Sequence, residues 1–287
     1  MIVLADYQVI TDRDAIGYVR RHVYEAALDN MAAGIDSVES TIFMHSAVPA
    51  LNRLILPFLS LVTEPELYRK PTVKSELAAS GRPLSGLLLT YPVHQAADIL
   101  FCKANVVPIG KDQLPHIEMA RVIARRFRDR YDAVFEEPQA LLTSAPAVPG
   151  LDGRKMSKIF GNVITLSMTP DETVAVVRRT PTDSDRYISY APAARPGVSA
   201  LLAIAGMITG RDPVAIAADI GGGGAGSLKE YVAESVNSLL AEHRRRRADL
   251  AADPDYVRSV VRRGNERANE IAEQTLNEVR AAMGTEY

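Results

Sequence analysis

The sequence predicts an α/β chain, with a Rossmann-like parallel sheet in a first domain and an all-helical domain after it. Three observations carry that expectation. Ile2-Val3-Leu4-Ala5, Thr41-Ile42-Phe43-Met44 and Val106-Val107-Pro108-Ile109 are short apolar runs without polar alternation, as in strands covered on both faces. Segments with apolar residues at helical spacing lie between them, which gives the strand–helix–strand outline of a right-handed parallel crossover. Beyond Leu166 only helix patterns follow, so the boundary is expected there, with domains at 1–166 and 167–287.

In order along the chain, Thr11 and Asp12 can cap a helix whose apolar positions Ile16, Val19, Val23, Ala26, Ala27 and Met31 recur up to Gly34. Pro49, Pro57, Pro65 and Pro71 punctuate short helices, and Ser80-Gly81-Arg82-Pro83 marks a turn. The next helix brings Tyr91, Gln95 and Asp98 onto one side, because residues three and four apart are helix neighbours. Lys111-Asp112-Gln113 stands at the C-terminal end of the third strand, where open parallel sheets place ligands. His116 to Tyr131 is amphipathic, with Ile117, Ala120, Ile123, Ala124, Phe127 and Tyr131 inside and an arginine-rich outer face. Residues 140–149 lead into the loop from Gly153 to Asn162. Further helices are expected from Thr169 to Arg179, Gly197 to Thr209, Asp212 to Ile220, Ser227 to Leu250 and Asp255 to Met283.

With 47% hydrophobic and 24% charged residues in 287, the chain can bury a substantial core and is not of the disordered class. A formal net charge of −2 gives no overall attraction to nucleic acid, so any RNA contact must be local. Cys102 is the single cysteine, which excludes an internal disulfide and a cysteine-based zinc site. His22, His45, His94, His116 and His243 show no metal-ligand spacing, and no metal site is expected. No apolar stretch is long enough for a bilayer and the start lacks signal-peptide character, so a cytoplasmic protein without membrane association is expected.

Three groupings invite a chemical reading. The loop Gly153-Arg154-Lys155-Met156-Ser157-Lys158 sets Arg154, Lys155 and Lys158 among small residues, so it can carry cations to a polyanion. Tyr91, Gln95, Asp98, Asp112 and Gln113 supply a phenol, two amides and two carboxylates, which suits a free amino acid. His243-Arg244-Arg245-Arg246-Arg247 reads as a solvated helix face or as a phosphate contact without sequence readout. The glycine run at 221–224 follows a helix where a dinucleotide fingerprint needs a strand, and is read as a loop.

Together, Tyr91-Pro92-Val93-His94-Gln95-Ala96-Ala97-Asp98-Ile99-Leu100, Val107-Pro108-Ile109-Gly110-Lys111-Asp112-Gln113 and the Lys155-Met156-Ser157-Lys158 loop resemble consecutive signatures of the bacterial tryptophanyl-tRNA synthetases, which are class I aminoacyl-tRNA synthetases. The resemblance runs from Leu4-Ala5-Asp6 to Gly264-Asn265 and Ala268-Asn269-Glu270. It implies a nucleotide- and amino-acid-binding first domain, a helical anticodon-binding domain for tRNA(Trp), and a homodimer. It implies ATP with Mg²⁺ and tryptophan as substrates. By position, Asp98 would accept the indole N–H, Tyr91 and Gln113 would hold the amino acid's polar groups, and Gln95 would line the pocket. Gly110 and Asp112 would face the ribose, Met156 would support adenine through its backbone, and Ser157 would belong to the same ATP site. Lys155 and Lys158 would stabilise the leaving pyrophosphate.

The chain departs from the family pattern in two places. Ile159 stands where the family's loop has serine. Family members also open with a strand, a glycine-containing turn and a His-containing motif for the ATP phosphates, and no His-x-Gly-His-like pattern occurs in this chain. Either Met1 is an internal methionine of a longer protein, or the chain is a non-catalytic paralogue that binds tRNA or an indole amino acid. A tyrosine-specific ligase of the same fold is the other enzyme alternative, since Asp and Gln also serve a phenol.

Overall fold

The computed structural model describes residues 1–287 except 12–15, 72, 75–76, 78–82, 143–147, 155, 157–160 and 287. The chain forms two compact units. The first comprises Met1–Ala27, Ile35–Ala145 and Pro254–Tyr287; the second comprises Leu28–Gly34 and Pro146–Asp253.

In the first unit, β1 (Ile2–Leu4) pairs in parallel with β2 (Ile42–Met44), and β3 (Val106–Ile109) pairs in parallel with β4 (Gln139–Leu142). The intervening helix α1 (Val19–Ala32) makes the expected crossover between β1 and β2. It starts three residues after Ile16, behind a 3-10 turn. The short helices α2 (Pro49–Arg53), α3 (Ile55–Leu59) and α4 (Glu64–Tyr68) each include or follow one of the prolines that punctuate this region. The helix α5 (Gly86–Leu100) is capped by Ser85, whose Oγ accepts from Leu88 N at 3.1 Å, and α6 (Leu114–Arg130) lies against it. Phe43, Phe58, Phe101, Ile117, Ile123 and Phe127 form the centre of this unit's core.

β4 was not expected from the sequence. Its four residues Gln139–Leu142 are too few and too exposed to show an apolar pattern. Among the described residues the expected sheet is therefore two parallel pairs that share no ladder. The registers fix which edges stay open. Ile2 N donates to Thr41 O at 2.8 Å, so Ile2 and Leu4 turn their backbone groups to β2, while Met1, Val3 and Ala5 turn theirs away. Gln139 N donates to Asn105 O at 2.8 Å, so Val106 and Pro108 point away from β4. Pro108 has no N–H to offer, which suits an edge.

The helix α11 (Pro254–Met283) corrects the expected boundary at 166. It belongs to the first unit and packs on β2 and α2, with Ala268, Ala272, Leu276 and Val279 in that core. Asn265 Oδ1 accepts from Met44 N at 2.9 Å, and Thr275 Oγ1 donates to Phe101 O at 2.7 Å. The second unit also begins earlier than expected, at Pro146. It contains α7 (Pro170–Arg179), α8 (Pro196–Thr209), α9 (Pro213–Ile220) and α10 (Gly224–Ala251), around Val177, Leu201, Leu202, Ile216, Leu228 and Val232. Gly221 to Gly223 form a 3-10 turn that leads into α10, in keeping with a loop rather than a dinucleotide motif.

Gly264 marks the closest approach of α11 to β2. A Cβ there would fall inside contact distance of the Ile42 carbonyl and amide. Gly264→Ala is therefore expected to destabilise the first unit by about 2 kcal/mol or more, as overpacking against an immobile backbone does, and urea unfolding measures it.

Candidate active site

Tyr91, Gln95 and Asp98 emerge from one side of α5, and together with Gln113 they line a cavity of about 880 Å³. Its other walls are the open edges of β1 and β3, including Met1, Val3, Ala5, Val106 and Pro108, with Phe43 and Ile117 below. The polar groups are linked to one another. Gln95 Nε2 donates to Gln113 Oε1 at 3.2 Å, and Gln113 Nε2 donates to Asp112 Oδ2 at 3.0 Å. The Tyr91 ring meets the buried His116 ring edge to face, with centroids 5.7 Å apart. Gly110 and Asp112 stand exposed just beyond β3, outside the cavity lining.

Asp98 does not cap or solvate its helix: its side chain is only 7% exposed. Burial pushes its carboxyl well above the usual carboxylate range. Two histidines stand beside it that the sequence spacing did not connect. His45, just after β2, places Nε2 3.3 Å from Asp98 Oδ1 and 2.7 Å from His94 Nε2. His94 also meets Asn52 Oδ1 at 3.1 Å. Burial, then the neighbouring His94, lower the His45 imidazole to about 4, and burial lowers His94. Where the spacing pointed to no metal-ligating group, the fold brings His45, His94 and Asp98 together, with ligand atoms within 4.8 Å of one another. His94 and Asp98 were legible as an i, i+4 pair on one helix face; His45 comes from 49 residues away and was not.

The segment carrying His45 is held from several sides. Asp6 accepts from Ser46 N at 2.9 Å and from the Ser46 hydroxyl, and Asn269 Nδ2 donates to Ala47 O at 2.5 Å. Asn265 and Asn269, singled out in sequence only as part of a resemblance, thus anchor the end of β2 from α11.

The cationic loop belongs to the second unit. Lys155, Ser157 and Lys158 lie outside the described residues; Met156 is described and half-buried. The two stems are joined by Leu151 N to Asn162 O at 2.9 Å, and the first is turned back on itself by Gly150 N to Arg154 O at 2.8 Å. Asp152 ties them further, accepting from Asn162 Nδ2 at 2.8 Å, Arg154 N at 3.0 Å and Arg154 Nε at 2.7 Å. Arg154 is therefore part of the stem's own ion pair and not a third cation held out for a polyanion. Leu151 packs into the helical core, and Gly153, at φ +83°, lies so close to Pro196 that a Cβ would meet its carbonyl oxygen at 2.7 Å.

The arginine run is likewise engaged within its own unit. Arg244 donates to Met168 O at 2.9 Å, Asn237 Oδ1 at 2.8 Å and Thr173 Oγ1 at 2.9 Å. Arg245 and Arg246 pair with Glu242 at 2.8 Å, and Arg247 pairs with Asp29 at 2.6 Å. These contacts favour the structural reading of the run over the phosphate contact. No single helix among the described residues is long and apolar enough to cross a membrane.

Comparison with known proteins places this geometry. Residues 1–241 match the family model of class I tRNA synthetases (W and Y). The chain is 37% identical over 299 residues to the tryptophan–tRNA ligase of Lactococcus lactis, covering 100% of this chain and 88% of that protein. It is 35% identical to the Thermotoga maritima tryptophan–tRNA ligase, over 98% of this chain and 87% of the relative. The crystal structure of Campylobacter jejuni tryptophanyl-tRNA synthetase complexed with ADP and tryptophan superposes with a TM-score of 0.83 at 27% identity, over 98% of this chain and 88% of that one. The chain belongs to the class I tRNA synthetases, in the branch that holds the tryptophan and tyrosine enzymes.

The loop stem makes a pH-dependent prediction. Hydrogen bonds from Asn162 and then Arg154 hold the Asp152 carboxyl down at about 2, below its ordinary 3.8. A carboxyl depressed in the folded state stabilises above its unfolded pKa and loses that contribution as pH falls through the folded one. Wild type is thus expected to exceed Asp152→Asn in stability by about 1 kcal/mol at pH 7, allowing for solvent screening. In urea titrations the difference should shrink only once the pH drops below about 4.

Proposed function

We infer that this chain is an aminoacyl-tRNA synthetase that activates tryptophan with ATP and transfers it to tRNA(Trp). The observation that carries the reading is the Asp98 carboxyl, almost wholly buried in the wall of a half-apolar cavity beside Tyr91, Gln95 and Gln113. An indole N–H only donates, and a carboxyl oxygen in the cavity wall is the acceptor it requires in either protonation state. The Campylobacter jejuni relative, with tryptophan and ADP named in its complex, supports both ligands.

In this reading Asp98 accepts the indole N–H, Tyr91 and Gln113 hold the amino acid's ammonium and carboxylate, and Gln95 orients Gln113. Gly110 and Asp112 face the ribose, where a glycine lets the backbone approach closely. Met156 supports adenine through its backbone, with Ser157 beside it in the ATP site. The tryptophan carboxylate attacks the α-phosphorus of ATP, which enters with Mg²⁺, and pyrophosphate leaves. Lys155 and Lys158 stabilise the charge that develops on that leaving group. The 3′-terminal ribose hydroxyl of the tRNA then attacks the aminoacyl carbonyl, and AMP leaves. Positioning and charge stabilisation carry both steps. The helices of the second unit are assigned to the anticodon, and α11 to the catalytic unit; the working form is a homodimer in the cytoplasm.

ATP–pyrophosphate exchange tests the reading. Exchange is expected with tryptophan and not with tyrosine. Asp98→Ala should lower kcat/KM for tryptophan by about 100-fold, the cost of stranding a buried donor. Lys155→Ala and Lys158→Ala should instead lower kcat with little change in the KM for tryptophan. Exchange with tyrosine alone, or with no amino acid, would overturn it.

A further inference from the structure

We propose that His45, His94 and Asp98, completed by Asn52, form a buried binding site for one divalent ion of the zinc type, of which Asp98 alone reaches the lining of the first unit's cavity. The inference shares Asp98 with the synthetase reading but rests on a separate observation, the convergence of these side chains. His94 and Asp98 are one helical turn apart on α5, and His45 reaches them from the end of β2. His45 Nε2 lies 2.7 Å from His94 Nε2 and 3.3 Å from Asp98 Oδ1, and His94 Nε2 lies 3.1 Å from Asn52 Oδ1. Two imidazole nitrogens, a carboxylate oxygen and an amide oxygen are the mixed N/O set that zinc, cobalt(II) and nickel take in preference to magnesium or calcium.

The metal-free arrangement leaves these groups poorly matched. Each neutral imidazole has one N–H, so of the facing Nε2 atoms one must donate and the other accept. Asp98 Oδ1 and His45 Nδ1 remain buried without a hydrogen-bond partner, although the Asp98 side chain is 7% exposed and the His45 side chain 0%. A cation in place of the shared proton turns both Nε2 lone pairs to use and gives Asp98 Oδ1 a partner. Two imidazole nitrogens at about 2.0 Å from a tetrahedral ion lie about 3.3 Å apart, so the pair must open by about half an ångström. Charge is balanced close by: Asp98 supplies one carboxylate, and Asp6, clamped by Ser46 next to His45, supplies a second.

The other faces support this position. Asn265 and Asn269 of α11 fix the backbone on either side of His45, so one ligand is oriented before any ion arrives. The Tyr7 ring lies 5.6 Å from the His45 ring and covers it.

The full chain, stripped with EDTA and titrated with Co²⁺, tests the site. The expected result is a visible d–d absorption of a four- or five-coordinate ion that saturates at one equivalent per chain and is displaced by Zn²⁺. His45→Gln and His94→Leu should each weaken the affinity by about 100-fold, whereas His22→Gln should leave it unchanged. Near-UV circular dichroism of the variants separates loss of ligand from loss of fold. Absence of the band in wild type at micromolar free Co²⁺, or equal affinity in folded His45→Gln and His94→Leu, would overturn the proposal. Cobalt binding and ATP–pyrophosphate exchange are separate readouts, so either reading can fail while the other stands.

Discussion

The contact on which the first unit depends is that between Gly264 and Ile42. With no side chain at Gly264, α11 lies directly on the backbone of β2, and everything downstream of that strand inherits its position. Met44 is bonded by Asn265, Ala47 by Asn269, and between them His45 is set against His94 and Asp98. A glycine in the middle of an exposed helix would cost about 1 kcal/mol in propensity; here the lost side chain is what permits close packing, and the burial of Ala268, Ala272 and Leu276 offsets that cost.

Much of this arrangement was legible in the sequence, for identifiable reasons. Helices with a clear 3.6 period, such as Leu114–Arg130 and Pro170–Arg179, appear within a residue or two of where their apolar residues and caps put them. The placement of Tyr91, Gln95 and Asp98 on one cavity wall followed from helical spacing alone. Periodicity says that a helix has an apolar face but not what covers it. That is why α11 read as part of a terminal helical domain although its Ala268, Ala272 and Leu276 face the first core. β4 escaped because a four-residue strand paired on one side carries no pattern, and the His45 contact because nothing local in a sequence reports a meeting across 49 residues.

Charge follows the same logic. Four successive arginines look like a phosphate track when only the chain is in view, yet Arg244 closes against Met168, Asn237 and Thr173, and Arg247 against Asp29. Arg154 in the glycine-rich loop is bound by Asp152 in the same way. Net charge and clustering describe supply; what matters for a polyanion is which cations remain uncommitted after the fold has used its share.

The discontinuity of the first unit has a consequence for how the chain is made. Residues 146–253 leave the ribosome before 254–287, so the second unit can close while the first still lacks α11. Until that helix arrives, β2 lacks the cover that α11 gives it, and Met44 and Ala47 lack the side chains of Asn265 and Asn269. The order of synthesis is thus inverted relative to the order of completion. The first unit is the last to be finished, and a nascent protein interrupted between Asp253 and Gly264 would carry a complete second unit and an unfinished first one.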